Sequence, residues 1–118
     1  MSTAPLTSRT QVLLWGAQRA SAAILAVCVL VHLFTIVYAV RNGLTAAEIL
    51  ARTSGSVFWG AFYALFVAAV AVHAPLGLRN VLTETFGWRG RSLEVAMLVL
   101  GIALAAHGWR AVYAVVAA

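Results

Sequence analysis

Three long apolar segments, each holding a single histidine, constrain this chain more than any other feature. The first runs from 20 to 40 and is interrupted by Ser21, His32 and Thr35. The second runs from 57 to 78, and His73 is its one side chain that titrates near neutral pH. The third begins at Leu93 and carries Glu94, His107 and Arg110. A helix that crosses a bilayer core needs about 20 mostly apolar residues. The first two segments meet this outright. The third is uncharged only from 95 to 109, so Arg110 must snorkel outward or face a partner. Composition removes the other options. Of the 118 residues 64% are hydrophobic and 9% are charged, with a mean hydropathy of +0.97. A small globule buries only about 60–70% of the surface its unfolded chain exposes, too little to hide this much apolar area. Disorder requires low hydrophobicity. The expected fold is all-α: one transmembrane domain over 1–118, with three transmembrane helices at about 12–40, 57–79 and 93–116.

The connections fit this division. Arg41, Asn42 and Gly43 give a turn signal after the first span. Thr45 and Glu48 have the spacing of a capping box, which predicts a short helix at the membrane surface over about 45–52. Ser54, Gly55 and Ser56 break it, and Ser56 is placed to cap the second span. Ser92 is expected to cap the third, with Glu94 in its first turn where a negative charge suits the helix dipole. The polar, short stretch before the first span and the length of that span argue for a retained helix rather than a cleaved signal peptide.

The net charge of +5 comes from eight arginines against three glutamates. The arginines are scattered singly between apolar runs. They form no phosphate-binding stripe, so nucleic acid is not an expected partner. They read instead as topology signals. Arg9, Arg19, Arg79, Arg89 and Arg91 fall on one side of the three spans, and Arg41, Arg52 and Arg110 on the other. The richer side is expected to be cytoplasmic, which puts the N-terminus inside. Trp15, Trp59, Trp88 and Trp109 lie near span ends, as an aromatic belt would. Cys28, the single cysteine, reads as packing.

Ionisable side chains at membrane depth are costly and mark functional sites by default. At 1.5 Å per residue, His73 lies roughly 9 Å from the inner edge, while His32 and His107 lie roughly 20 Å from it. Imidazole at such depth serves a proton relay, a hydrogen bond between helices, or metal ligation. A relay recruits carboxylates, and none lies in the middle of a span. Neutral imidazole ligates haem without a counter-charge, and an apolar helical bundle is a suitable home for a porphyrin. An interhelical hydrogen bond stays open on these grounds. Near His73, Gly77 lies one turn away and leaves room for a flat macrocycle or a close helix. Arg79 lies nearer the inner edge, where haem propionates would need a cation. Pro75 frees the carbonyl of Ala71, which membrane helices tolerate. In the third segment Gly101, Ala105 and Gly108 form one face suited to close helix contact.

The run from His73 to Asn80, His-x-x-x-Gly-x-Arg near the end of a second span, resembles the membrane-anchor cytochrome b subunits of succinate dehydrogenase and fumarate reductase. The run from Val81 to Glu84 after it is similar to that family as well. Trp15 to Ser21, containing Gln18 and Arg19, resembles the family's His/Gln-Arg-x-Ser/Thr-Gly pattern. Val31-His32-Leu33 resembles the extra histidine of two-haem members. The chain departs from the pattern at Ala22 for a usual Gly, at Asn80 for a second His, at Thr85 for a Tyr, and at Trp15 for a Ser.

The resemblance implies haem b with His73 as an axial iron ligand, His32 as the ligand of a possible second haem, and Arg79 toward haem. It implies that Arg19, Gln18, Ser21 and Trp15 lie at a quinone, ubiquinone or menaquinone, or at a haem propionate. No ligand role falls to His107, which reads as packing. Glu84 reads as solvated surface. The implied setting is the bacterial cytoplasmic (inner) membrane. There the chain would dock a flavoprotein subunit and an iron–sulfur subunit, and pass electrons from succinate to quinone in the reaction shared with the tricarboxylic acid cycle. One chain supplies too few ligands for a complete haem site, so a second membrane-anchor subunit or a second copy is expected to complete the bundle. One cysteine and no Gly-rich fingerprint leave the succinate chemistry to partners. Two other classes stay open. One is a haem-free anchor or assembly subunit. The other is a small transporter, against which the lack of a mid-depth carboxylate argues.

Overall fold

The computed structural model describes residues 7–117, and these form four helices: α1 (Ser8–Arg41), α2 (Ala46–Thr53), α3 (Val57–Phe86) and α4 (Arg91–Val116). There is no strand among the described residues. α1, α3 and α4 are each long and apolar enough to cross a membrane. The 34 residues of α1 span about 51 Å at 1.5 Å per residue, close to the 53 Å long axis of the molecule.

Local chemistry sets the ends of these helices. The Thr7 side chain accepts from the Thr10 amide at the start of α1. Thr45 and Glu48 form a reciprocal capping box at α2, and the Ser56 hydroxyl accepts from the Trp59 amide at α3. Gly87 ends α3 at φ 67, a left-handed conformation that glycine adopts without a Cβ clash. α4 corrects the sequence expectation. It starts at Arg91 behind Gly90, with no side-chain cap, and Ser92 lies inside the helix. The Ser92 hydroxyl instead accepts from the Trp88 indole N–H at 2.8 Å, so the loop holds the group that was expected to cap the helix.

α3 is the central element. α4 and α1 pack on it, and α2 leans on the end of α4. The proximal end of the molecule is where α1 begins and α3 turns into α4; the distal end carries α2. Small residues let α4 approach α3 closely. A Cβ built at Gly108 would lie 2.6 Å from Cγ1 of Val67. At Gly101 a Cβ would lie 3.4 Å from the Ala71 carbonyl and 3.4 Å from the Pro75 ring. Gly101 therefore packs where Pro75 withholds the helical N–H from Ala71. At the distal end the Thr53 hydroxyl donates to the Val115 carbonyl at 2.6 Å, and the Gly55 amide donates to the Val116 carbonyl at 2.7 Å. These bonds satisfy two carbonyls that the last turn of α4 would otherwise leave open and tie α2 to it.

Little of the apolar surface is used inside the chain. Cys28, Ala69, Pro75, Leu93, Met97 and Val112 are the buried apolar residues among those described. Val12, Leu13, Val27, Phe34, Val40 and Ile102 are all exposed. Such an outward apolar surface requires lipid or further helices around it.

Candidate functional site

Near the proximal end, α1 and α3 bring Gln18 and Gly77 together. A Cβ on Gly77 would lie 3.1 Å from the Gln18 amide nitrogen, so the space over Gly77 is taken by a close helix and the Gln18 side chain. His73 stands one turn earlier on the same face of α3, partly buried. Two polar atoms in this region are buried without a hydrogen-bond partner: Gln18 Oε1 and His73 Nδ1. An orphaned buried polar atom costs about 1–3 kcal/mol, and one that persists in a folded protein calls for an explanation such as strain, a redox role or a further bound group.

The neighbouring sequence-predicted residues are distributed differently. Ser21 is buried, and its hydroxyl donates to the Gln18 carbonyl at 3.1 Å within its own helix. Arg19 and Trp15 are exposed and paired, with the guanidinium 5.2 Å from the indole centroid. Arg79 lies on a different side of α3 from His73 and Gly77, because six residues turn a helix by about 240°. It reaches α4, where Nη2 is 2.7 Å from Glu94 Oε1 and Nε donates to the same oxygen at 2.7 Å. The structure thus joins His73, Gly77 and Gln18 on one face and turns Arg79 to a partner on another.

Toward the distal end lies a second polar group. The Tyr63 hydroxyl and His32 Nδ1 share a hydrogen bond of 3.3 Å, and the Thr35 hydroxyl donates to the His32 carbonyl at 2.7 Å. The His32 ring stands edge-on to Tyr63 and Phe66, with centroids 5.6 and 5.7 Å away. His107 is exposed, and its Nδ1 donates to the Ala103 carbonyl at 2.8 Å, which leaves Nε2 as the nitrogen with the free lone pair. His32 and His107 line one cavity of about 650 Å³ over Phe66, Val67 and Val70 of α3.

Sequence reasoning missed Tyr63, Thr35 and Phe66 around His32, and Glu94 as the partner of Arg79. For Tyr63 a signal existed. It is sixteen residues before Arg79, roughly 24 Å by rise, near the level that paired His32 with His107. Cys28 is buried and free. No group of three or more His, Cys, Asp or Glu side chains able to hold a metal occurs among the described residues.

A family model described as succinate dehydrogenase/fumarate reductase transmembrane subunit matches residues 3–116. The chain belongs to that family. No curated protein and no solved structure matches it. As a succinate dehydrogenase/fumarate reductase transmembrane subunit, it is a multi-pass membrane protein that associates with the catalytic subunits of such a complex. Its histidines are then read on a membrane subunit of a respiratory enzyme rather than on an isolated bundle.

Proposed function

We propose that this transmembrane subunit is the haem b anchor of a succinate:quinone oxidoreductase in a bacterial cytoplasmic membrane. Its proximal end faces the cytoplasm, where the flavoprotein and iron–sulfur subunits dock. Electrons from succinate reach ubiquinone or menaquinone near Trp15, Gln18, Arg19 and Ser21. His73 would hold the haem iron from this chain, and a second anchor subunit or a second copy of the chain would supply a further ligand.

The observation that carries this reading is the unpartnered, buried Nδ1 of His73 one turn from Gly77, against which Gln18, with its own unpartnered Oε1, packs. A histidine kept for packing would use its ring nitrogen on a neighbouring helix; this one leaves it unused at a mostly apolar interface. What fits a haem in kind is the imidazole of His73; Arg79, on another side of α3, is spent on Glu94 rather than turned toward it. Haem b, when bound, supplies a site that takes up and releases single electrons. Gln18 Oε1, in the side chain, is an unpartnered acceptor for a quinol hydroxyl or for a histidine N–H, and Arg19 brings a positive charge to the same turn of α1. Ser21 shapes that turn, since its hydroxyl hydrogen is spent on the Gln18 carbonyl. His32 is the candidate ligand of a second haem. Its Nδ1 is already held by Tyr63, the arrangement by which an outer partner orients an imidazole for ligation through its other nitrogen.

The experiment is purification of the tagged chain in mild detergent from cells grown by respiration. Flavoprotein and iron–sulfur subunits are expected to co-elute with it. A chain that elutes alone, monodisperse and stable, contradicts the anchor reading.

A further inference from the structure

At the proximal end the helices run on past the membrane. The 30 residues of α3 make a helix about 45 Å long, whereas a hydrocarbon core is about 30 Å thick. Charged groups mark where the core ends. Arg79 pairs with Glu94 at 2.7 Å, and Glu84 is exposed five residues further along α3. An ionised carboxylate is costly in hydrocarbon, so the last turn of α3 lies outside it. Phe86 follows Glu84 and is 74% exposed. α1 reaches equally far. Gln18 against Gly77 and His32 against Tyr63 fix one antiparallel register, in which Val12 is level with Thr83 and Arg9 with Phe86. Val12 and Leu13 are exposed there as well. The turn that presents Phe86 is braced from within. The Gly87 amide donates to the Thr83 carbonyl at 3.0 Å, the Thr83 hydroxyl to the Trp88 carbonyl at 3.0 Å, and the Trp88 indole to the Ser92 hydroxyl at 2.8 Å. Such bracing lowers the ordering cost that association otherwise carries. Arg9, Arg89 and Arg91 are exposed at this end and none pairs with a carboxylate among the described residues. Glu94 is spent on Arg79, so Glu84 stands alone against the three. An exposed ring among arginines is the composition of an interface core.

We infer that Phe86, held out by the braced α3–α4 turn, is the apolar anchor on which the iron–sulfur subunit seats, in an apolar pocket of that subunit with an acidic rim. The occupant is a water-soluble protein, because this end stands beyond the hydrocarbon. A second anchor subunit or a second copy would lie alongside the spans instead. Of the catalytic subunits it is the iron–sulfur one, the last carrier before a quinone held on the proximal turns of α1. The inference rests on the proposed anchor function and adds the contact surface to it.

The test is to immobilise the detergent-solubilised complex through a tag at the distal, C-terminal end of this chain and to follow release of the iron–sulfur subunit into wash buffer. Phe86→Ala is expected to release it about thirtyfold faster than the wild type, the factor that matches a hot-spot truncation of about 2 kcal/mol. Phe86→Leu, which keeps apolar bulk, is expected to fall between the two. The melting midpoint of the chain should not change, because Phe86 is exposed. Phe34→Ala is the control. Phe34 is exposed to a similar degree but lies within the span of α1, and its loss should leave the release rate unchanged. Wild-type release from Phe86→Ala would overturn the inference. So would equal acceleration in Phe34→Ala, which would place the effect in the lipid-facing surface as a whole. A wild-type chain that elutes alone contradicts the anchor function and takes the inference with it; a wild type and a Phe86→Ala variant that hold the subunit equally well overturn the inference alone.

Discussion

Gly108→Ala is expected to destabilise the α3–α4 pair by about 1–3 kcal/mol, the usual cost of adding volume to a well-packed interface. The new Cβ would lie 2.6 Å and 2.8 Å from the two methyl carbons of Val67 and 3.2 Å from its Cβ. Val67 is branched at that carbon and has no flexible end to swing aside, so the helices must move apart. In a membrane, close packing and interhelical bonds hold helices together without a hydrophobic force between them. A small separation therefore removes much of what joins α4 to α3. Thermal denaturation of the detergent-solubilised protein should show a lowered midpoint. Val67→Ala in the same chain should restore part of the loss, because it removes both methyl groups that the new Cβ meets. Gly101→Ala is the control: its Cβ would sit 3.4 Å from its neighbours and should change little. If Gly101→Ala costs as much as Gly108→Ala, or if Val67→Ala gives no rescue, the close approach at Gly108 is not what joins the helices.

Replacing His73 with Ala is expected to abolish the haem assigned to it. Loss of an outer partner of a metal ligand already costs about 10- to 100-fold in affinity, and loss of the axial ligand removes more. His107→Ala is expected to leave that haem in place, because its ring donates to a carbonyl of its own helix on an exposed face. His32→Ala should lower haem content only if a second haem is bound. The measurement is haem per chain by pyridine haemochrome on each purified variant, with far-ultraviolet circular dichroism to show that the helices persist. Equal haem loss from His73→Ala and His107→Ala would show that the two levels of histidine have been assigned wrongly.

Much of the architecture was open to reading because it depends on local chemistry. Three apolar runs of sufficient length mark three long helices, and Thr45 with Glu48 needs only four residues to specify a helix start. Gly101 and Gly108 are spaced by seven, two turns of one helix face, and both pack against α3. The facing of the long helices is another matter. α1 and α3 are apolar around much of their circumference, so no polar stripe tells which side meets a neighbour. That is why Arg79 read as a cation near His73, whereas the structure turns it to Glu94 on α4. The same indeterminacy hid Tyr63 beside His32, although a count of rise along the helices puts them at similar depth. Gln18 over Gly77 depends on the register of α1 against α3, which no local signal sets. Ser92 failed as a cap for a local reason: the indole of Trp88, four residues back, holds its hydroxyl.

The most direct test of the central claim is a dithionite-reduced minus oxidised spectrum of the purified complex, with haem quantified per copy of this chain. The account predicts the bands of a bis-histidine b-type haem, at one haem per chain where a second anchor subunit supplies the other ligand, half a haem per chain where a second copy does, and more where His32 also ligates. A complex that assembles with its catalytic subunits but carries no haem, from cells able to make it, would contradict the account and return all three histidines to helix packing.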